Sequence, residues 1–410
     1  MSNTPQIRFA GFTDAWEQCK LGDYCDMYNG DRSSKYPNVQ DMVSDGIPFI
    51  NAGDLENGRV NLSSCNKISK EKYDDLGGAK LQLGDIVYCL RGTLGKNAYI
   101  DNFTEGTVAS SLVAIRPKNI NGRYMFHVIN SDIEYRQRIV HDEGAAQPNL
   151  SAKNVSEFLI PIPNIDEQKM IAKFLDNLTT LITLHQRKCN ALQKFKKSML
   201  QKMFPQNGES VPEIRFAGFT DAWEQRKVGE LTVESSEYTT LEAGFPLLTS
   251  SRNGLIYQNE YRGKQTTDST ETMFSIVPLG ACTYRHMSDD DVFHLNVNRL
   301  EKGLVSREYP VFYASDDNNL DFIVQQINSS AEFRSFCAEQ KKGGTRTRLY
   351  YKNLCEFQML VPNTEEQEKI ATLLLTLDTL ITLHQRKLEQ EKEKKKALMQ
   401  LLLTGKVRCI

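Results

Sequence analysis

The sequence predicts an α+β fold in which two similar α+β domains are separated by two long helices that pair as an antiparallel coiled coil. The first reason is a repeated string, because residues 7–18 and residues 214–225 both read IRFAGFTDAWEQ. A second string, TLITLHQRK, occurs at residues 180–188 and again at residues 379–387. Two identical strings in the same order indicate a pseudo-twofold tandem duplication, and a heptad-spaced apolar stripe around the second string predicts the helices.

Each copy is predicted to end in a long helix, because a mostly apolar stripe recurs every three or four positions from Ile171 to Met199 and from Ile370 to Leu401, where it weakens through Glu391 and Lys394. A helix of about 38 residues is about 57 Å long and cannot bury its own stripe, so pairing of the two helices is favoured. The alternatives, in which each helix packs on its own domain or the pair is parallel, stay open. Antiparallel pairing would bring the central histidines face to face. The predicted seam residues are Leu178, Leu181, His185, Leu377, Leu380 and His384.

These features divide the chain into four parts. They are a first domain with its N-terminal repeat (residues 1–163), a central helix (164–204), a linker with the second domain (205–361), and a C-terminal helix with a tail (362–410). Between the repeats the domains share little sequence. Each is predicted to contain several short strands and one body helix, at residues 123–140 and 320–339. A constant frame with two different bodies is typical of a protein that recognises two different ligands.

Composition and charge exclude several classes of protein. Lys and Arg number 50 against 52 Asp and Glu, so any nucleic-acid binding must use local basic patches rather than a polycationic chain. Nine cysteines without a C-x-x-C pair indicate reduced thiols rather than disulfides or a zinc site. Because neither a long apolar span nor a signal peptide is found, we expect a cytoplasmic protein with no membrane partner.

The sequence lacks the motifs that predict an enzyme or a metal site. The P-loop, G-x-G-x-x-G after a strand, H-E-x-x-H and G-x-S-x-G are all absent. Residues 393–395 match the E-x-K of a nuclease site, but the alternating charges around them indicate a solvated helix face. The six histidines occur singly. We therefore predict a non-catalytic protein with no metal or cofactor bound to this chain.

Two corresponding loops are the main candidates for base recognition. Residues 341–352 read KKGGTRTRLYYK, and residues 142–153, which lie 199 positions earlier, read DEGAAQPNLSAK. Arg favours guanine O6 and N7 in the major groove, whereas Asn and Gln favour adenine N6 and N7. The two loops correspond in position, but the first has Gln147 and Asn149 where the second has Arg346 and Arg348. This exchange fits loops that read bases, although a solvated surface loop remains the alternative. The candidates are Gln147, Asn149, Gly344, Thr345, Arg346 and Arg348.

Polar residues near predicted strands complete the candidate DNA contacts. Each is a weak candidate alone, because half or more of protein–DNA contacts go to phosphate and carry no sequence information. They are Asn51, Tyr88, Arg91, Thr93 and Lys96 in the first domain, and Ser250, Arg252, Tyr284 and Arg285 in the second.

Several short motifs accompany the duplicated frame. Pro-Ile-Pro precedes Glu167-Gln168 at the first long helix, and Val-Pro-Asn precedes Glu366-Gln367 at the second. Residues 83–86 read LGDI, and residues 402–406 read LLTGK. Over the full chain this set resembles the specificity (S) subunit of Type I restriction-modification systems. The second domain departs from the pattern, since residues 279–282 read LGAC instead of LGDI.

The resemblance implies two target-recognition domains, each of which reads one half of a bipartite site in double-stranded DNA. It also implies that the coiled coil sets the spacer, and that the chain docks two methyltransferase subunits and the restriction and translocase subunits. S-adenosylmethionine, ATP and magnesium would then belong to those partners. The alternative is a duplicated, non-catalytic binding or scaffold protein for another polymer.

Overall fold

A computed structural model of the protein describes residues 7–142, 149–206, 208–262, 271–341 and 345–404. The chain divides into two compact units. The first contains Met1–His185 with Arg386–Ile410, and the second contains Gln186–Gln385. Each long helix therefore contributes one part to each unit.

The first unit is built around a four-stranded sheet of order β2-β11-β8-β9, and a second sheet has the order β10-β4-β7-β3. The described strands are β1 (Glu17–Lys20), β2 (Cys25–Asn29), β3 (Met42–Val43), β4 (Ile47–Ile50), β5 (Leu55–Glu56), β6 (Arg59–Val60), β7 (Asn66–Ile68), β8 (Ile86–Cys89), β9 (Asn97–Tyr99), β10 (Thr107–Val108), β11 (Leu112–Pro117) and β12 (Leu159–Ile162). The helices are α1 (Lys70–Asp75), α2 (Gly122–Ile129), α3 (Asp132–His141), α4 (Ala152–Ser156) and α5 (Ile165–Lys202), which continues into the second unit.

The second unit repeats this plan around a sheet of order β14-β23-β19-β21. Its described strands are β13 (Glu224–Lys227), β14 (Thr232–Glu234), β15 (Tyr238–Thr239), β16 (Leu248–Ser251), β17 (Gly254–Tyr257), β18 (Phe274–Val277), β19 (Cys282–Thr283), β20 (Met287–Ser288), β21 (Asn296–Val297), β22 (Gly303–Ser306), β23 (Val311–Ala314), β24 (Thr347–Arg348) and β25 (Gln358–Val361). The helices are α6 (Val228–Leu231), α7 (Gln258–Arg262), α8 (Leu320–Ser329), α9 (Ala331–Glu339), α10 (Tyr351–Leu354) and α11 (Thr364–Thr404), which returns to the first unit.

Strand pairing confirms the duplication residue by residue. Strand β1 pairs with β12 so that Glu17 lies opposite Ile162, and β13 pairs with β25 so that Glu224 lies opposite Val361. Within each domain the turn before the central strand has a glycine with positive φ, Gly84 at 93° and Gly280 at 83°. The LGAC sequence of the second domain therefore occupies the same turn as the LGDI of the first.

The single body helix that we predicted in each domain is wrong in one respect, because a serine interrupts both. Ser131 separates α2 from α3, and Ser330 separates α8 from α9, again 199 positions apart. Each serine has an extended backbone and caps the next helix, Ser131 accepting from Ile133 N at 3.2 Å and Ser330 from Phe333 N at 2.9 Å. A serine hydroxyl competes for backbone N–H groups, which explains the break inside an otherwise helical pattern.

The two long helices run antiparallel where they pair within each unit. In the first unit Lys395 Nζ of α11 donates to Thr179 Oγ1 of α5 at 2.8 Å. In the second unit Lys196 Nζ of α5 donates to the Asp378 carboxylate of α11 at 2.7 and 2.8 Å. Near the C-terminal end of α11, Leu402 shares the first core with Ile171, and Met203, the residue after α5, shares the second core with Ile370.

The predicted seam of the coiled coil is right at some positions and wrong at two leucines. Leu178 and Leu377 are buried as predicted, each 5% exposed, and the two central histidines are half-buried. Leu181 and Leu380, however, are 43% and 37% exposed. The repeated string offers apolar residues at neighbouring positions, so the sequence allows two phases of the stripe. The residues that occupy the other half of the seam are Leu175, Ile182, Cys189, Leu374, Ile381 and Leu388.

The Glu-Gln pair at the start of each long helix joins the repeated string to the body. Glu167 accepts from Arg8 Nε and Nη2 at 2.8 and 2.6 Å and from the Trp16 indole at 3.0 Å. Gln168 accepts from the backbone N of Asn121, the N-cap of α2, at 2.8 Å. Glu366 and Gln367 make corresponding bonds with Arg215 and with Asn319, the N-cap of α8. We call each such set of bonds a clasp, because it fixes three segments that are far apart in sequence.

Candidate nucleic-acid interface

The first domain brings Arg91 and Asn149 together beyond the end of β8. The two residues form an isolated antiparallel bridge, and Arg91 Nε donates to Asn149 Oδ1 at 3.1 Å. The next residue, Leu150, donates its backbone N–H to Leu90 O at 2.9 Å. Arg91 is exposed and Asn149 is half-buried. We call residues 91–96 together with Asn149 the first edge.

The other first-domain candidates differ in what they can contact. Thr93 is exposed at the turn of the first edge. Lys96 Nζ donates to Ala52 O at 2.7 Å, and the backbone N of Asn51 donates to Asp54 Oδ2 at 2.8 Å. Lys96 and Asn51 therefore hold the 51–54 turn against the edge, whereas Thr93 is open to a ligand.

The second domain forms a corresponding edge from two short paired strands. Met287 of β20 lies opposite Arg348 of β24, Ser288 lies opposite Thr347, and Leu349 N donates to His286 O at 2.9 Å. We call residues 285–291 together with residues 345–348 the second edge. Its exposed candidates are Arg285, Thr345, Arg346 and Arg348.

The two edges correspond, which confirms the predicted alignment of the loops. Leu150 and Leu349, 199 positions apart, each donate to a carbonyl two residues after a buried tyrosine. Asn149 therefore occupies in the first edge the position that Arg348 occupies in the second. The remaining loop candidates, Gln147 and Gly344, lie outside the described residues.

Two of three consecutive aspartates in the second edge bind arginines, and none of the three was predicted from the sequence. Arg346 Nε donates to Asp289 Oδ1 at 2.7 Å, and Arg252, at the turn between β16 and β17, donates from Nη2 to Asp290 Oδ2 at 2.5 Å. The third, Asp291, accepts from the buried Thr347 hydroxyl. An acidic run in a domain whose loop carries five cations was the available signal.

Two groups of this edge, Asp290 and His286, have pKa values lowered by their surroundings. The Ser288 hydroxyl donates to Asp290 Oδ1 at 2.8 Å and, together with the charge of Arg252, lowers the pKa of that carboxyl. Burial lowers the pKa of His286, whose ring stacks on Tyr350 with a centroid separation of 5.9 Å. At neutral pH the positive charge of the second edge therefore comes from its arginines.

Three candidates are removed because their side chains belong to the interior. Tyr88 is fully buried and donates to Glu134 Oε1 at 2.5 Å, and Tyr284 is fully buried as well. Successive side chains of a strand face opposite sides, so a tyrosine next to an exposed arginine can point into the core. Ser250 is 9% exposed and accepts from Asn296 Nδ2 at 2.7 Å.

The described ranges offer neither a metal-binding cluster nor a membrane-spanning helix. They contain no group of three or more His, Cys, Asp or Glu side chains placed to hold a metal ion. In the same part of the chain, none of the helices is long and apolar enough to cross a membrane. What both edges offer is a set of exposed hydrogen-bonding groups on paired backbone.

The chain matches a protein family and several of its members. The family model described as the Type I restriction modification DNA specificity domain matches residues 13–194 and 299–393. The putative type I restriction enzyme MjaX specificity subunit of Methanocaldococcus jannaschii is 24% identical over 434 aligned positions, 99% of this chain and 97% of that protein. The MjaVIII specificity subunit of the same organism is 23% identical, over 96% of this chain and 93% of that protein.

A solved structure agrees with this match at the level of the fold. The S subunit of a Type-I restriction-modification system from M. genitalium superposes with a TM-score of 0.60, covering 98% of this chain and 99% of that chain at 13% identity. The family model covers more than half of the chain and matches residues in both domains. The protein therefore belongs to the family of Type I restriction-modification DNA specificity subunits.

Proposed function

We propose that each domain of this specificity subunit reads one half of a bipartite site in double-stranded DNA. The observation that carries the proposal is the pair of edges. They share one backbone register but have different side chains, with Asn149 where the other has Arg348. The frame is kept while one position of the edge changes from an amide to a guanidinium, which fits two readers of two different sequences.

The side chains suggest different bases for the two readers. Arg346 and Arg348 suit the O6 and N7 acceptors of guanine, whereas the amide of Asn149 suits adenine N6 and N7. Arg91, held by Asn149, can add a phosphate or guanine contact to the first half-site. The three arginines are exposed and Asn149 is half-buried, which supports this assignment.

The paired helices α5 and α11 are proposed to set the spacer between the half-sites. A coiled coil is stiff over several turns, because its seam residues interlock. The clasps support the same role, since each ties the start of a long helix to a domain through the buried Glu167 or Glu366.

The chain is proposed to act without chemistry of its own. It docks two methyltransferase subunits that modify adenine and, with them, the restriction and translocase subunits. S-adenosylmethionine, ATP and magnesium belong to those partners. Membership of a family of specificity subunits supports this division of labour.

Single-molecule methylome sequencing tests the proposal directly. A methylation-null host receives this chain together with its methyltransferase partner. We expect methyladenine in one split motif with a fixed gap, which also identifies the target. A soluble complex with the partner that leaves no modified motif would contradict the proposed function.

A further inference from the structure

We propose that Asp289 and Asp290 are positioning residues that hold Arg346 and Arg252 for recognition of guanine. It follows that the half-site read by the second domain contains guanine at two positions, on either strand. This inference rests on the proposed function and adds to it the bases read and the residues that orient the readers.

The geometry of the two ion pairs leaves each guanidinium able to bind a base. Arg346 uses Nε toward Asp289 at 2.7 Å, and Arg252 uses Nη2 toward Asp290 at 2.5 Å. A guanidinium has five donors in a planar fork, so one bond to a carboxylate leaves donors for guanine O6 and N7. The first edge has a neutral counterpart, because Asn149 Oδ1 accepts from Arg91 Nε at 3.1 Å.

Folding stability does not account for these aspartates. The side chains of the Arg346–Asp289 pair are 53% and 65% exposed, and those of Arg252–Asp290 are 69% and 45% exposed. Ion pairs this exposed contribute little to stability, because water and salt screen them. A run of three carboxylates also repels DNA phosphates, which weakens binding. Because the aspartates add little stability and weaken DNA binding, we infer that they contribute to the specificity of a DNA reader.

The gain is a fixed orientation of the arginines before DNA binds. Free arginine side chains lose rotamer freedom when they bind, and a preformed pair removes part of that loss. Asp290 is itself held in place, since it accepts from the Ser288 hydroxyl at 2.8 Å and Ser288 is paired with Thr347 across β20 and β24. Asp291 accepts from Thr347, which ties the acidic run to the same strand pair.

The test compares methylated motifs from the full chain in complex with its methyltransferase partner. Four single variants form two pairs. The first pair is Arg346→Ala and Asp289→Ala, and the second pair is Arg252→Ala and Asp290→Ala. Each pair is expected to relax one guanine position of the second-domain half-site, lowering its preference for guanine about tenfold, or about 1.4 kcal/mol. The other half-site and the spacer stay unchanged.

A matched control separates positioning from the loss of an exposed ion pair. Glu230→Ala breaks the Arg226–Glu230 pair, which joins at 2.6 Å with side chains 39% and 49% exposed, and we expect no change in the motif. Asp289→Asn, which keeps the size of the side chain, should relax the same position less than Asp289→Ala. Thermal melting of each purified complex reports whether the variants fold.

The outcomes distinguish this inference from the proposed function. A native complex that modifies no motif contradicts the proposed function itself. If the native motif is present but Asp289→Ala and Arg346→Ala relax different positions, Asp289 contacts a base directly and the inference is wrong. It is also wrong if the aspartate variants leave every position unchanged, or if Arg346→Ala weakens all sequences equally.

Discussion

The two domains keep one frame and carry two different edges. In the frame, Glu167 and Glu366 have the same role, each accepting two hydrogen bonds from the arginine of the repeated string at 2.6 to 2.9 Å. At the edges, an Arg–Asn contact in the first domain is replaced by arginines held by aspartates in the second. The bonds of the frame are buried, whereas the edge side chains are largely exposed. Side chains at the edge can therefore change without disturbing the frame.

The two copies of the frame differ in the hydrogen bonding of one atom, the indole nitrogen of the repeated tryptophan. Trp16 donates its indole N–H to Glu167, but in the described part of the chain the buried indole N–H of Trp223 has no hydrogen-bond partner. The strings around both tryptophans are identical. Trp223 instead lies against Phe204 and Phe322, with ring centroids 6.1 and 5.6 Å away. Residues from other segments thus give an identical string different surroundings in the two domains.

The largest effect is expected from shortening the frame while leaving both edges intact. Deleting residues 182–188 and 381–387 removes one heptad from each long helix and keeps the phase of the seam. Seven residues correspond to about 10 Å of helix, or about three base pairs. We expect the modified motif to keep both half-sites with a gap about three base pairs shorter, measured by methylome sequencing. An unchanged gap would show that the helices do not set the spacer.

The next effect comes from breaking a clasp. Glu167→Ala leaves the Arg8 guanidinium, whose side chain is 10% exposed, without its carboxylate, and removal of one partner from a buried pair costs about 3 to 5 kcal/mol. Glu366→Ala should cost less, because within the described residues the Trp223 indole N–H makes no hydrogen bond to Glu366. Denaturant unfolding measures both. Glu365→Ala, which removes an exposed pair with Lys369, is the control and should change stability by less than about 0.5 kcal/mol. Equal losses in the two clasp variants would mean that the Trp16 bond contributes nothing.

A matched pair at the edges tests whether each domain reads its own half-site. Asn149→Ala and Arg348→Ala change corresponding positions of the two edges. Each should relax one position of its own half-site by about 1 to 3 kcal/mol of discrimination and leave the other half-site intact. The readout is the base preference at every position of the methylated motif. Relaxation of both half-sites by one variant would contradict the division between the domains.

The frame could be predicted from the sequence because its information is local and repeated. Identical strings, the Glu-Gln pairs and heptad spacing located the duplication and both long helices. The phase of the seam was half right, since Leu181 and Ile182 are adjacent and both apolar, and only packing selects Ile182. The break at Ser131 was missed because a serine within a helical pattern is ambiguous until its hydroxyl finds an N–H group to cap.

The edges were harder to predict, because their residues are joined by contacts across the fold. The alignment of Asn149 with Arg348 came from the constant offset between the copies. Exposure did not follow from residue type, so Tyr88 was proposed as a contact although its side chain lies in the core. Pairing of Arg346 with Asp289 joins residues 57 positions apart and depends on how β20 meets β24.

The smallest effect compares one seam position in the two helices. Lys196 and Lys395 correspond, but Lys196 binds the Asp378 carboxylate, whereas Lys395 donates to the neutral Thr179 hydroxyl. Lys196→Met should cost about 1 kcal/mol, because it leaves Asp378 without its cation. Lys395→Met should be neutral or stabilising by up to about 1 kcal/mol, because it removes a half-buried charge that, within the described residues, has no directly bonded carboxylate.

The pH dependence of the second variant gives the sharper measurement. Burial lowers the pKa of Lys395 from its ordinary value of 10.5, despite the attraction of Asp176. Between the lowered pKa of the folded chain and 10.5, the unfolded chain binds more protons at this site than the folded chain, so the stability of the native protein rises with pH across that window. Lys395→Met removes this increment, and its advantage over the native protein should shrink as the pH is raised from neutral. An advantage that stays constant with pH would show that Lys395 is as well solvated in the fold as in the unfolded chain.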